Sequence, residues 1–79
     1  MHSPSRKIIA AEVRAAMGRA NIKQVELARR TSLSQAGLSD RLSCKRPFST
    51  DQLYEIAEAL GVDPLSLMTT PPSVVQESA

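Results

Sequence analysis

The stretch SQAGLSDRLSCKR, residues 34–46, decides how this chain is read. Leu38 and Leu42 stand one helical turn apart and give the segment a single apolar side. Stepping about 100° per residue from that side puts Ala36, Asp40 and Ser43 almost directly opposite, with Gly37 and Ser39 flanking them. Gln35 projects from the N-terminal end, and Ser34 stands where a helix cap belongs. A surface helix built for stability carries Glu, Lys and Gln outside. This one carries small residues and a glycine that costs about 1 kcal/mol against alanine. Helix propensity did not choose that face.

Working outward, the segment before it, QVELARRT at roughly 24–31, reads as a second helix with Leu27 and Ala28 inward. Lys23 occupies its cap position, where Ser or Thr is preferred, and Glu26 in the first turn partly offsets that through the helix dipole. Ser32-Leu33-Ser34 forms the turn between the two. Upstream, Ser3-Pro4 or Ser5 opens a helix whose stripe is Ile9, Val13, Ala16, Met17 and Ala20. Asn21 suits a left-handed position at its end, and Ile22 follows into the core. Downstream, Ser49-Thr50-Asp51-Gln52 is a capping-box pattern, Leu53, Ile56, Ala57 and Leu60 form the next stripe, and Gly61 stops it. Asp63-Pro64 caps a short fifth helix, LSLM. Neither an alternating strand pattern nor an internal repeat is present. The expected fold is an all-α, compact five-helix bundle, with residues 1–5 a flexible N-terminus, 6–69 the domain, and 70–79 a Pro-containing tail or linker.

Composition narrows the function. At 79 residues the chain holds one small core, and with Tyr54 and Phe48 its only aromatics, aliphatic residues must fill it. Cys44 is the sole cysteine, which excludes an internal disulfide and fits a reducing compartment. No apolar run approaches the ~20 residues of a membrane span. MHSPSRK lacks the apolar region of a secretory signal, so a cytoplasmic protein is expected. His2 is the only histidine; with one His and one Cys, no metal cluster or nucleophilic triad can be assembled. No glycine-rich phosphate loop, cofactor motif or small-molecule substrate site stands out. Asp51, Glu55 and Glu58 share one exposed helix and most simply solubilise it.

The net charge of +2 hides an asymmetry. Residues 1–50 hold all ten Lys and Arg against Glu12, Glu26 and Asp40, a net of +7, whereas residues 51–79 hold five acids and no Lys or Arg. Such polarity orients a protein toward a polyanion. A slim helix followed by Lys45-Arg46 fits the same partner, because the DNA major groove is only about 12 Å wide and bulky outward residues would hold the backbone away from the bases. Gln bonds adenine bidentately at N6 and N7. The alternative is a weak surface helix whose small residues pack against another protein.

The run NIKQVELARRTSLSQAGLSDRLSCKRPFSTDQLYEIAEALGVDPLSL, from Asn21 to Leu67, resembles the helix-turn-helix domain of phage repressors and Cro proteins and of related bacterial regulators. Gln24 opening helix two, Leu27-Ala28 within it, Gln35 opening helix three, Leu38 and the later IAEALGV carry the resemblance together. Its flavour is that of actinobacterial and actinophage regulators, which often read RLSGKRPF here. The resemblance implies a lambda-repressor-like fold and sequence-specific binding of duplex DNA by a transcriptional regulator, most plausibly a phage or prophage repressor. Recognition helix 35–43 would enter the major groove, with Gln35, Ala36, Ser39 and Asp40 at the base edges. Gln24 would bond a phosphate and brace Gln35. Lys23, Arg30, Ser43, Lys45 and Arg46 would hold the backbone, although a solvated helix face is an equal reading for Arg29 and Arg30. Neutralising roughly 4–6 phosphates would give a log–log salt slope of about −4 to −5.

Three positions depart from the family. Ser32 replaces the usual turn glycine and Cys44 the glycine that ends helix three, which implies strained residues or altered geometry at both. Arg41 replaces an apolar residue, which raises a rotation of helix three. Asp40 either accepts from a cytosine amino group or pairs with a nearby arginine. Cys44 beside Lys45 and Arg46 reads as an inert small residue, with a redox switch the alternative. The partner is a double-stranded DNA operator, bound by a monomer or by a homodimer with half-sites about 34 Å apart. Leu65, Leu67, Met68, Val74 and Val75 are candidates for a dimer contact, with Leu65 and Met68 favoured for the monomer core. An antitoxin, which would also bind a toxin, and a protein-interaction module without DNA binding are the rival readings.

Overall fold

The computed structural model describes residues 5–68. Five helices follow in order: α1 (Ser5–Ala20), α2 (Gln24–Arg29), α3 (Gln35–Leu42), α4 (Thr50–Leu60) and α5 (Pro64–Met68). No strand occurs among the described residues. α1 packs on α3, α4 and α5, while α2 packs on α3 and α4. The core is aliphatic, with Val13, Leu27, Leu38, Ile56 and Leu67 fully enclosed. Leu38 and Leu42 are both buried, so Arg41 does not rotate α3 away from its expected register.

Several boundaries shift. α2 ends at Arg29 rather than near residue 31, and α3 ends at Leu42 with Ser43 just past it. α5 begins at Pro64, and Ser5, assigned to the N-terminal segment, is already in α1. On α1 the buried set is Ala10, Val13 and Ala16, while Ile9, Met17 and Ala20 pack half-buried beside it. Ala10 was not in the expected stripe. Leu65 is 58% exposed and Leu67 only 1%, which reverses the core assignment of Leu65; Met68 does pack against the core. A five-residue helix offers one inward line, and Leu67 occupies it. The expected tails, apart from Ser5, and with them Val74 and Val75, lie outside the described residues.

α1, α3 and α4 end alike. Just past each lies a left-handed residue: Asn21 (φ 58°), Cys44 (φ 70°) and Gly61 (φ 72°). The next amide reaches back to a carbonyl five residues earlier, as Ile22 N–H to Met17 O at 3.0 Å, Lys45 N–H to Asp40 O at 2.8 Å and Val62 N–H to Ala57 O at 3.0 Å. These closures satisfy carbonyls that a helix end leaves without partners. The N-termini also follow sequence. Ser34 Oγ accepts from Gly37 N–H at 2.9 Å, and Ser49 and Gln52 form the reciprocal capping box. Lys23 caps α2 in extended backbone without a side-chain bond.

Candidate nucleic-acid interface

The α2–α3 turn is built by side chains rather than by glycine. Thr31 Oγ1 donates to the carbonyls of Leu27 (3.1 Å) and Ala28 (3.3 Å) and accepts from Leu33 N–H (3.3 Å). The strain expected at Ser32 is absent, because Asn21 and Cys44 are the only non-glycine residues at positive φ among those described. Instead Ser32 N–H donates to Glu55 Oε1 at 2.8 Å, and its hydroxyl bonds the same carboxylate at 2.9 Å. Glu55 is thus an anchor of the turn, not a solubilising residue. The expected strain at Cys44 is present.

Gly37 receives a different reason from the one its sequence suggested. It is half-buried, and an added Cβ would lie 3.1 Å from Ser34 Oγ and 3.2 Å from Arg41 Nη1. The missing side chain makes room for the helix cap and for Arg41, rather than slimming the outward face. Arg41 Nη1 donates to Gly37 O at 2.8 Å and Nε donates to Gln52 Oε1 at 3.0 Å. Two further arginines hold the other end of α3: Arg14 donates to Leu42 O at 2.6 Å and Arg6 to Cys44 O at 3.4 Å. Sequence reading missed all three. Apart from Gly37, four positions from Arg41, the partners lie 11 to 38 positions away, beyond any local pattern.

Outward on α3 stand Gln35, Ala36 and Ser39, all exposed, and the side chains of Gln35 and Ser39 have no hydrogen-bond partner among the described residues. Asp40 is half-exposed, and its carboxylate lies 3.9 Å from Arg46 Nε, a loose surface pair that favours pairing with arginine over a free acceptor. Ser43 Oγ donates back to Asp40 O at 3.2 Å. Gln24 is half-buried, and no hydrogen bond joins it to Gln35, so the expected brace is not formed. Both amides remain available.

The cations divide into two groups. Arg30 Nε donates to Glu26 Oε2 at 2.8 Å and its Nη1 to Ala59 O at 3.5 Å, and Arg29 pairs with Glu26 at 3.2 Å. Arg30 therefore turns toward the end of α4 and does not join the residues gathered around α3. The hydrogen bond from Arg30 is the main cause that holds the Glu26 carboxyl below its ordinary value; partial desolvation opposes it, and the charges of Arg30 and Arg29 add to the lowering. The side chains of Lys7, Arg19, Lys23 and Lys45 make no ion pair or hydrogen bond among the described residues. Lys23 precedes α2 and Lys45 follows α3. Lys7, beside Arg6, sits at the end of α1 that touches Cys44. Among the described residues no group of three His, Cys, Asp or Glu is placed to hold a metal, and no helix is long and apolar enough to cross a membrane.

A helix-turn-helix family profile matches residues 13–67. Among solved structures, the fold is similar to a hypothetical transcription factor, NHTF, from Neisseria, at 24% identity over 91% of this chain and 83% of that one, with a TM-score of 0.80. It is also similar to the clp gene regulator ClgR from Corynebacterium glutamicum. One structure of that protein matches at 22% identity over 78% of this chain and 66% of that one, TM-score 0.74; another matches at 21% over 84% and 86%, TM-score 0.76. No curated protein sequence matches the chain. At these identities the structural likeness concerns the fold, whereas the profile covers more than half of the sequence. This chain belongs to the Cro/C1-type helix-turn-helix family.

Proposed function

We propose that the chain is a transcriptional regulator that binds duplex DNA sequence-specifically, with α3 in the major groove. One observation carries the reading. The outward side of α3 presents the side chains of Gln35, Ala36 and Ser39 without a hydrogen bond or ion pair among the described residues, while every other polar side chain of the helix is engaged inward or at its end. Gln35 is the principal reader, bonding an adenine edge through both amide atoms, and Ala36 fits against a thymine methyl. Ser39 bonds either kind of base, and Asp40 acts mainly by orienting Arg46. Lys23, Gln24, Ser43, Lys45 and Arg46 hold phosphates on either side. Bound to a promoter-overlapping operator, such a domain represses by occluding polymerase, in keeping with the likeness to phage and prophage repressors.

The internal pairing of Arg30 with Glu26 lowers the expected number of phosphate contacts. With Lys23, Lys45, Arg46 and Lys7 as the cations in reach, the low end of the range expected from the sequence, log K against log salt is expected to fall with a slope of about −3.6 per domain. Fluorescence anisotropy of a labelled duplex across a salt series measures it. A slope near zero would remove the electrostatic part of the proposal.

A further inference from the structure

The half-buried Arg41 has no carboxylate partner among the described residues; both its bonds go to neutral oxygens, on Gly37 and on Gln52. Gln52 Oε1 at the same time accepts from Ser49 N–H at 2.9 Å, and Ser49 Oγ accepts from Gln52 N–H at 3.1 Å. A continuous chain of bonds therefore runs from the first turn of α3, through one guanidinium, into the capping box of α4. Arg41 adjoins Leu42 on the flank of the helix; α3 packs on α1 and α2 and Arg14 holds its C-terminal end, while the Arg41 bonds tie its first turn to the start of α4.

We propose that Arg41 is a positioning residue for base readout, a strut that sets the roll and tilt of α3 against α4 without touching DNA. The inference rests on α3 being the reading helix. Gln35 lies six residues from Arg41, about 9 Å along the axis, so a tilt of about 10° pivoting there displaces Gln35 by about 1.6 Å. Recognition geometry tolerates only about 0.5 Å before specific bonds are lost. Phosphate contacts made by long, flexible lysines absorb the same displacement. Losing the strut therefore lowers specific binding while sparing non-specific binding. Gly37 belongs to the same device, since a Cβ there would press on the Arg41 guanidinium.

The test compares wild type, Arg41→Met, Arg41→Lys, Gln52→Met and the Arg41→Met/Gln52→Met double variant. Each is titrated with the best duplex from a random-library selection and with a scrambled duplex, across a salt series. Each single variant is expected to lose about tenfold in specific affinity, the double variant no more than either single, with scrambled-duplex affinity and salt slope unchanged. Arg41→Lys keeps the charge and the fold but cannot span both acceptors, so it is expected to behave like Arg41→Met. A salt slope shallower by about one in Arg41→Met, restored in Arg41→Lys, would make Arg41 a phosphate contact and overturn the proposal. Additive losses, or equal losses on both duplexes, would overturn it as well. If Gln35→Ala abolishes specificity while the Arg41 variants match wild type, the strut alone is refuted. If wild type binds no duplex even at low salt, both the strut and the DNA-reading role of α3 fall.

Discussion

Replacing Cys44 with glycine is expected to stabilise the protein. Cys44 closes α3 at φ 70°, where an L-residue costs roughly 1–2 kcal/mol. Glycine adopts that conformation without strain but gives back about 0.5–1 kcal/mol through the greater freedom of the unfolded chain. The sulfur's own contribution is small, since Sγ only donates weakly to Arg6 O at 3.8 Å. The balance is a gain of about 0.5–1 kcal/mol, which raises the thermal midpoint by about 3–6 °C in a domain of this size. Gly61 supplies the calibration. It has φ 72° with nothing within 4 Å of an added Cβ, so Gly61→Ala isolates the conformational penalty and is expected to lower stability by about 1 kcal/mol. Cys44→Ala keeps the strain, loses the sulfur and should stay within about 0.5 kcal/mol of wild type. Thermal and urea unfolding under reducing conditions measure all three. If Cys44→Gly lowers the midpoint while Gly61→Ala behaves as stated, the Cys44 side chain outweighs its backbone strain and the argument is wrong.

Two further substitutions test the turn and the charge pairing. Glu55→Ala removes the acceptor of both Ser32 donors and is expected to cost about 1 kcal/mol in urea unfolding; an unchanged midpoint would mean that Thr31 alone holds the α2–α3 turn. Glu26 titrates below its ordinary value in the folded state, so its contribution is present above the unfolded carboxyl range, near pH 4.3, and fades as pH falls through the lower folded value. Glu26→Gln should therefore be less stable than wild type at neutral pH, with the gap closing as pH falls through the lowered folded-state value. A gap that persists or widens in acid would contradict the pairing with Arg30 as its source.

Local signals were legible in the sequence. Ser34, Ser49, Asn21 and Gly61 terminate helices through bonds to residues at most five positions away, so their type and spacing carry the information. The inward register of α3 followed from Leu38 and Leu42 alone. What stayed hidden depends on contacts across the fold. Arg14 and Arg6 reach the end of α3 from α1, Glu55 anchors Ser32 from α4, and Arg41 joins α3 to α4. A charge count treats these arginines as surface cations, although Arg14 and Arg41 are committed to carbonyl and amide oxygens. Gly37 shows the same limit. Its place near the outward face suggested clearance for DNA, and only the positions of Ser34 Oγ and Arg41 Nη1 reveal what its Cβ would have met.

The central claim, that α3 reads duplex DNA through Gln35, is tested most directly by selecting bound duplexes from a random-sequence library near physiological salt, in parallel with Gln35→Ala. Enrichment of a defined site by wild type, with the preference at one adenine-bearing position lost in the variant, is the predicted result; a palindrome with half-site centres one helical turn apart would add a dimer. Equal enrichment of the same site by both proteins, or no enrichment and no binding at low salt, would contradict it.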